Sequence, residues 1–350
     1  MKILITPLDW GLGHATRCIP IIRELLKRNY EVSIGTSGGA LSLLKREFSE
    51  LKFFELTSYR AEYASNGSLL TKLFFQLIKF MRAIRAEHRE LDQILKYNQF
   101  DLIISDNRYG CYSTKVKSIF ITHQINFVFR PSMKWAESIV NTWSRRQIRN
   151  FNQCWIPDLP NQKFSGELTS VKEISFSFIG ILSRFQKAAK QSDTYDLLVL
   201  ISGPEPQRTI FENLIREQLK NSSMKVLIVK GKPEEGEEIK SRGLLSEAGH
   251  LLSTELQRAI EESEFVICRS GYSSIMDLAT IGKKNIIFVP TPGQPEQEYL
   301  ACKLMAEGTV YSVNQDKLSL MEDMKQTKNF SGLFEDSDTS LLTNAIDQVL

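Results

Sequence analysis

Short, nearly continuous apolar runs alternate along this chain with longer stretches whose apolar residues recur every three or four positions. The runs at 2–6, 31–36, 101–105 and 118–122 are dominated by Ile, Leu and Val. Strands of a parallel sheet, covered on both faces, have this composition. Segments 17–28 and 69–96 between them carry the helical period. A second series runs through 196–202, 225–229, 265–268 and 285–289, and each series opens with a strand that enters a Gly-containing loop. Strand–helix alternation occurring twice predicts an α/β chain of two doubly wound domains. Pro157 and Pro160 interrupt regular structure, so the boundary is expected at 160/161, giving domains 1–160 and 161–350, with a strand early in the second at 176–181. The end, 339–350, places Leu342, Ala345, Ile346 and Val349 at helical spacing, a helix able to cross back to the first domain. Ligands of open α/β sheets sit outside the carboxyl ends of the strands, so the chemistry is expected in a cleft where two such domains face each other.

Composition changes this picture little. The 350 residues, 42% hydrophobic and 24% charged, suit a globular protein of two domains. The apolar start at Met1–Ile5 is too short for a signal peptide, and no run approaches the ~20 residues of a membrane span. Five scattered cysteines, none spaced C-x-x-C, argue against a disulfide framework or zinc site and make the cytoplasm the expected compartment. Charge is more informative. Residues 1–158 carry 23 Lys and Arg against 14 Asp and Glu, net +9; the remainder carries 21 against 27, net −6, which together return the whole-chain +3. A basic first half favours an anionic partner there. No RNA-binding or helix-turn-helix signature accompanies it, so nucleic acid is not expected.

The first strand runs into Asp9-Trp10-Gly11-Leu12-Gly13-His14-Ala15-Thr16-Arg17. Gly11 and Gly13 allow a tight turn and close approach to a ligand, leaving His14 at a helix N-terminus, where the helix dipole favours a neutral, proton-accepting imidazole. Arg17, on the same helix face, is a candidate phosphate contact. Thr16 stands where a dinucleotide fingerprint requires its third glycine, and no Lys-Ser/Thr pair follows, which disfavours a dehydrogenase and excludes a P-loop. In the second half, the strand at 265–268 leads into Arg269-Ser270-Gly271-Tyr272-Ser273-Ser274 and a helix at 275–280 containing Asp277. A small-residue turn opening a helix presents N–H groups and hydroxyls to a diphosphate, with Asp277 one turn further on for ribose hydroxyls. After the next strand, the loop from Pro290 to Tyr299 offers Gln294, Gln297 and Glu298 to sugar hydroxyls, and Ser202, Gly203 and Arg208 follow the second domain's first strand.

The stretch from Phe265 to Gly308 resembles the donor-binding half of family 28 glycosyltransferases, through Cys268-Arg269-Ser270-Gly271 with an acid, Asp277, six residues after the glycine. The resemblance implies a GT-B fold, two Rossmann-like domains facing across a cleft. It also implies a UDP-sugar donor held by the second domain, with Gln297 and Glu298 at the positions that contact the donor sugar. The Gly11–His14 loop corresponds to the family's active-site glycine loop, making His14 the expected general base and Gly13 a donor-side residue. Two departures stand out: the family commonly has Glu at the position of Asp277 and a second glutamine at that of Glu298. No cofactor and no metal are expected, since the only D-x-D, Asp336-Ser337-Asp338, lies in the tail. The leaving diphosphate should be met by backbone dipoles and arginines.

The acceptor side is less legible. Asp106 and His123 follow two first-domain strands and are acceptor-side candidates with Arg17; His123 is the reserve base. His88 and His250 are not expected at the site. Segment 69–96 is basic and amphipathic, with Lys79, Arg82 and Arg85 on one face and Phe75 and Phe80 away from the apolar stripe. Such a helix suits the inner face of an anionic membrane and a lipid-linked acceptor, or equally a core helix with a solvated basic face. Two rival functions remain open: a nucleotide-sugar hydrolase, which the Gly-x-Gly-His-x-x-Arg loop also resembles, and a non-catalytic nucleotide-sugar-binding protein. Trp135, Trp143 and the basic helix favour transfer over hydrolysis.

Overall fold

The computed structural model describes all residues except 60–68, 130–133, 172–173, 188–193 and 336–339, and the side chains of 69–78 are likewise outside the description. The Asp336-Ser337-Asp338 motif and Phe75 fall outside the described residues and side chains. The chain divides into two compact units, Met1–Leu182 with Asp338–Leu350, and Ser183–Ser337.

The first unit is built on a sheet of seven parallel strands: β1 (Lys2–Pro7), β2 (Glu31–Thr36), β3 (Lys52–Glu55), β4 (Leu102–Asp106), β5 (Lys117–Ile121), β6 (Gln153–Ile156) and β7 (Phe176–Phe178), in the order β3-β2-β1-β4-β5-β6-β7. Helices α1 (Gly13–Lys27), α2 (Gly38–Glu47), α3 (Leu69–Tyr97) and α4 (Lys134–Ile148) connect them. Ile3, Leu4 and Ile5 are fully buried, as are Ile103 and Ile104, which is why the strand runs are unbroken rather than alternating. The register pairs Pro7 of β1 with Asp106 of β4, and Asp106 with Ile121 of β5. Three strand ends therefore lie side by side at the carboxyl edge.

The second unit repeats the plan with β8 (Tyr195–Leu200), β9 (Val226–Val229), β10 (Lys240–Arg242), β11 (Leu245–Ala248), β12 (Ser263–Cys268), β13 (Ile286–Phe288) and β14 (Tyr311–Ser312), ordered β10-β11-β9-β8-β12-β13-β14. All pairs are parallel except the edge pair β10–β11. The intervening helices are α5 (Gln207–Leu219), α6 (Ser253–Glu261), α7 (Tyr272–Ile281), α8 (Pro295–Ala306) and α9 (Leu320–Gln326). Leu197, Val199, Ile228, Ile267 and Ile287 form the core against Phe211 and Ile215 of α5.

Two expectations are corrected. The division falls between 182 and 183 rather than at 160/161, because β7 pairs with β6 and extends the first sheet beyond the prolines. Phe80 is not a free aromatic; it packs edge-on against Tyr59 and Trp143, at 5.1 and 5.8 Å, at the edge of the first unit's core. The final helix, α10 (Ser340–Val349), belongs to the first unit, burying Leu342, Ala345, Ile346 and Val349. Arg28 holds Asp347, and Lys117 Nζ donates to the Val349 carbonyl at 2.9 Å.

Candidate active site

In the first unit the glycine loop follows β1, with Gly11 at φ +82°, and α1 begins at Gly13, so His14 lies in the helix's first turn. Asp106 ends β4 and His123 follows β5, which brings four residues from distant parts of the chain together. Asp106 is fully buried and receives the Arg17 guanidinium through Nε and Nη2. His14 Nδ1 lies 2.8 Å from Asp106 Oδ1, and Arg17 Nη1 meets His123 Nδ1. Cys18 Sγ completes the shell at 3.6 Å from Asp106 Oδ2.

His14 Nδ1 has two partners of opposite kind, Asp106 Oδ1 at 2.8 Å and Arg17 Nη2 at 2.9 Å. Arg17 can only donate and a carboxylate can only accept, so Nδ1 is an N–H toward Asp106 in one tautomer and an acceptor from Arg17 in the other. In the first of these the lone pair is on Nε2. Burial lowers the His14 pKa below its ordinary value, the Arg17 charge lowers it further, and the pull of Asp106 in the other direction does not offset them. The imidazole is therefore neutral at pH 7. Burial alone would raise the Asp106 carboxyl, but Arg17 and His14 more than reverse this and hold it below the usual carboxylate range. A neutral histidine, oriented through Nδ1 by a buried carboxylate, is an arrangement suited to taking a proton. Arg17 itself is 2% exposed and engaged by Asp106 and His123, which ties α1 to the ends of β4 and β5.

A second buried network, whose pairings the sequence does not show, braces the same loops. Arg108, fully buried, donates to Pro7 O, Thr57 O and Ser37 Oγ, the segments beyond β1, β3 and β2, and pairs with Glu87 of α3 at 2.6 Å and Asp9 at 3.3 Å. Glu87 also accepts from Tyr59 Oη and the Gly110 N–H, at 2.7 and 2.9 Å. A Cβ at Gly110 would lie 2.4 Å from the Ile84 carbonyl, so α3 can approach this loop only because the residue is glycine. No local signal marks the partners of Arg108, which lie up to 101 residues away. His88 is structural: its Nδ1 meets Gly110 O at 2.9 Å and its ring stacks on Tyr112. His250 is buried.

In the second unit the expected donor residues separate into two groups. Ser202 and Gly203 are exposed after β8, and Gly271, Ser273, Ser274, Gln294 and Glu298 are partly accessible. Helix α7 starts at Tyr272 with Gly271 as its cap and no side-chain capping bond, and the positive end of its dipole lies there. Arg269, Ser270, Tyr272 and Asp277 are buried behind this surface. Ser270 Oγ donates to Gln297 O at 2.8 Å, Gln297 Oε1 accepts from the Thr291 N–H at 2.9 Å, and Gln297 Nε2 reaches Gln294 Oε1 at 2.5 Å. Glu298 Oε1 accepts from Gly293 N at 3.1 Å. Arg208 is paired with Glu205 at 2.7 Å. Asp277 accepts from Ser183 Oγ at 2.7 Å and faces Arg184 Nε at 3.4 Å; burial raises its pKa, and Arg184 and Ser183 only partly counter this. Several side chains that the sequence offers to a ligand are thus engaged with one another.

Residues 207–345 match the glycosyltransferase family 28 C-terminal domain. The chain carries that domain. With the fold, this makes it a GT-B glycosyltransferase resembling family 28. The chain is 23% identical over 321 residues to the UDP-N-acetylglucosamine–N-acetylmuramyl-(pentapeptide) pyrophosphoryl-undecaprenol N-acetylglucosamine transferase of Actinobacillus pleuropneumoniae serotype 5b (strain L20), covering 88% of this chain and 83% of the relative. Among solved structures it is similar to Acinetobacter baumannii MurG, at 12% identity and a TM-score of 0.55, covering 99% of this chain and 98% of the other. It is likewise similar to Arabidopsis thaliana UGT89C1 complexed with UDP-L-rhamnose, at 14% identity and a TM-score of 0.55, covering 99% and 93%.

Proposed function

We propose that this glycosyltransferase moves a sugar from a UDP-sugar to an acceptor hydroxyl, with His14 as the general base and no requirement for a divalent cation. The observation that carries the mechanism is the His14 Nδ1–Asp106 contact at 2.8 Å, with burial and Arg17 keeping the imidazole neutral. In this reading Nε2 takes the acceptor's hydroxyl proton as its oxygen attacks the anomeric carbon, and Asp106 stabilises the imidazolium that results. The second unit holds the donor: the first turn of α7 and the Ser202-Gly203 loop receive the diphosphate, while Gln294, Gln297 and Glu298 address the sugar. A uridine nucleotide is supported by the family-like segment from Arg269 to Asp277, by the relative's named donor and by the UDP-sugar complex among similar folds.

A lipid-linked acceptor, and docking on an anionic membrane surface, are part of the same proposal. The relative named above acts on a pyrophosphoryl-undecaprenol compound. Trp135 and Ile139 stand four residues apart on α4 with 60% and 64% exposure, and Lys79, Arg82 and Arg85 of α3 are exposed in the same unit. Among the described residues no helix is long and apolar enough to cross a membrane.

The test is a donor panel with the wild type, His14→Ala and His14→Asn, each with and without EDTA. Both variants should lose ~10²–10⁴-fold in turnover while UDP affinity stays near normal, and EDTA should have no effect. Near-normal turnover in both variants would remove His14 from the chemistry. Donor consumption at full rate with no acceptor present would replace transfer by hydrolysis.

A further inference from the structure

Each unit places a buried arginine at the same point of its sheet. The strand that opens each unit, β1 or β8, is flanked on one side by β4 or β12, and the arginine follows that flanking strand: Arg108 after β4 and Arg269 after β12. Both tie loops together at the carboxyl edge. Arg269 Nη1 donates to Val289 O and Pro290 O at 3.0 and 3.3 Å, and Nη2 to Gln207 O and Gln315 Oε1 at 3.0 and 2.6 Å. The loops beyond β8, β13 and β14 are thereby fixed to the one beyond β12.

The two arginines differ in charge balance. Arg108 has carboxylates, Glu87 and Asp9, as partners. Arg269 is 1% exposed, every acceptor it has is neutral, its Nε has no hydrogen-bond partner, and no carboxylate among the described residues pairs with it. Its guanidinium lies 4.1 Å from the centre of the Phe211 ring. Burying a cation without a counter-charge is costly, and burial lowers this group to about 10, which still leaves it protonated at neutral pH. A cost retained inside a rigid loop assembly calls for an anion that arrives from outside. The N-terminus of α7, three residues along the chain, has the positive end of its dipole where such an anion is favoured.

We propose that Arg269 is a positioning residue whose counter-charge is the diphosphate of the bound nucleotide, felt through the loops it holds and not by direct contact. The proposal rests on the reading of the second unit as the donor-binding unit. A fixed charge in a low-dielectric interior acts over several ångströms and needs no rearrangement when the ligand binds.

The decisive variant is Gln315→Glu. It keeps the hydrogen bond to Arg269 Nη2 and gives this arginine the carboxylate that Arg108 already has. Calorimetric titration of the full chain with uridine, UMP and UDP should show UDP affinity reduced about tenfold or more, a fraction of one charge pair's attraction at an effective dielectric of about 20, with uridine changed less than about twofold. The melting temperature should hold or rise. Arg269→Gln should show the same selective loss of UDP, and Arg269→Lys should keep the UDP-to-uridine ratio of the wild type. Unchanged UDP affinity in Gln315→Glu, or an equal loss for uridine and UDP, would overturn the proposal and leave Arg269 a simple brace. A wild type preferring another nucleoside diphosphate would sink the uridine reading alone, and the same comparison would then be made with that nucleotide. A wild type binding no nucleoside diphosphate would overturn both.

Discussion

Replacing Asp106 by Asn removes one charge from the buried cluster with little change of shape, and two consequences follow from the geometry. The first is stability. Asp106 is fully buried and Arg17 is 2% exposed, so Asp106→Asn removes from a buried guanidinium the carboxylate it pairs with. Breaking a buried pair by removing one partner costs about 3–5 kcal/mol. A domain of roughly this size loses ~2–4 °C in Tm per kcal/mol, so a fall of about 6–20 °C is expected for the first unit. The second consequence is on the rate. Asp106 contacts Nδ1 of His14 and is the group that pulls its pKa upward against burial and Arg17. The asparagine amide lacks that charge, so His14 should become a weaker base in a less defined orientation, and turnover should fall by ~10²-fold or more. Circular dichroism melting, together with sugar-transfer rates between pH 5 and 9, reads both effects. The wild-type rate should rise through a pKa below the ~6.5 of free imidazole, and the variant's inflection should lie lower still, beneath a reduced plateau. A melting temperature within about 2 °C of wild type would refute the buried pairing, since the cited cost cannot be hidden at that site. Full turnover with an unaltered pH profile would refute the orienting role.

Three other outcomes are expected. Acid should unfold the first unit in a graded way. His14, with its pKa lowered, costs stability as pH falls below ~6.5, and Asp106, also lowered, loses its contribution as pH falls below ~3.9 toward its folded value. Glu87, raised by burial against the pull of Arg108, works in the opposite sense, and pH-resolved melting of the Glu87→Gln variant should show a steeper acid loss than wild type. Asp277→Ala should weaken UDP binding by ~1–3 kcal/mol while leaving the preference over GDP and ADP measurable by calorimetry; unchanged affinity would confine Asp277 to its contacts with Ser183 and Arg184. Deleting 340–350 should destabilise the first unit by several kcal/mol, since full burial of a Leu, Ile or Val side chain is worth ~1.5–3 kcal/mol and the helix buries one of each. Differential scanning calorimetry showing an unchanged transition would contradict the packing of α10.

The sequence by itself determined the strands that are buried on both faces. Runs such as Ile3-Leu4-Ile5 and Ile103-Ile104 have only one way to be apolar without interruption, and their loops at the carboxyl edge follow from the alternation with helices. It also marked His14, because two glycines before a helix start are a local feature. It did not mark β3, β6, β10, β11 or β14, which are two to four residues long and mostly at or near sheet edges, where no period can be read. Nor could it place the boundary at 182/183, since β7 joins the first sheet through pairing with β6 and not through any property of its own letters. The chemistry of the charged residues was decided by tertiary structure. Arg17 and Arg269 both read locally as phosphate contacts. Strand order puts Arg17 beside Asp106, 89 residues away, and so neutralises it, whereas Arg269 is enclosed by carbonyl oxygens and an aromatic ring and has no carboxylate partner among the described residues. A side chain's charge is written in the sequence; whether that charge has a partner depends on which strands lie next to each other.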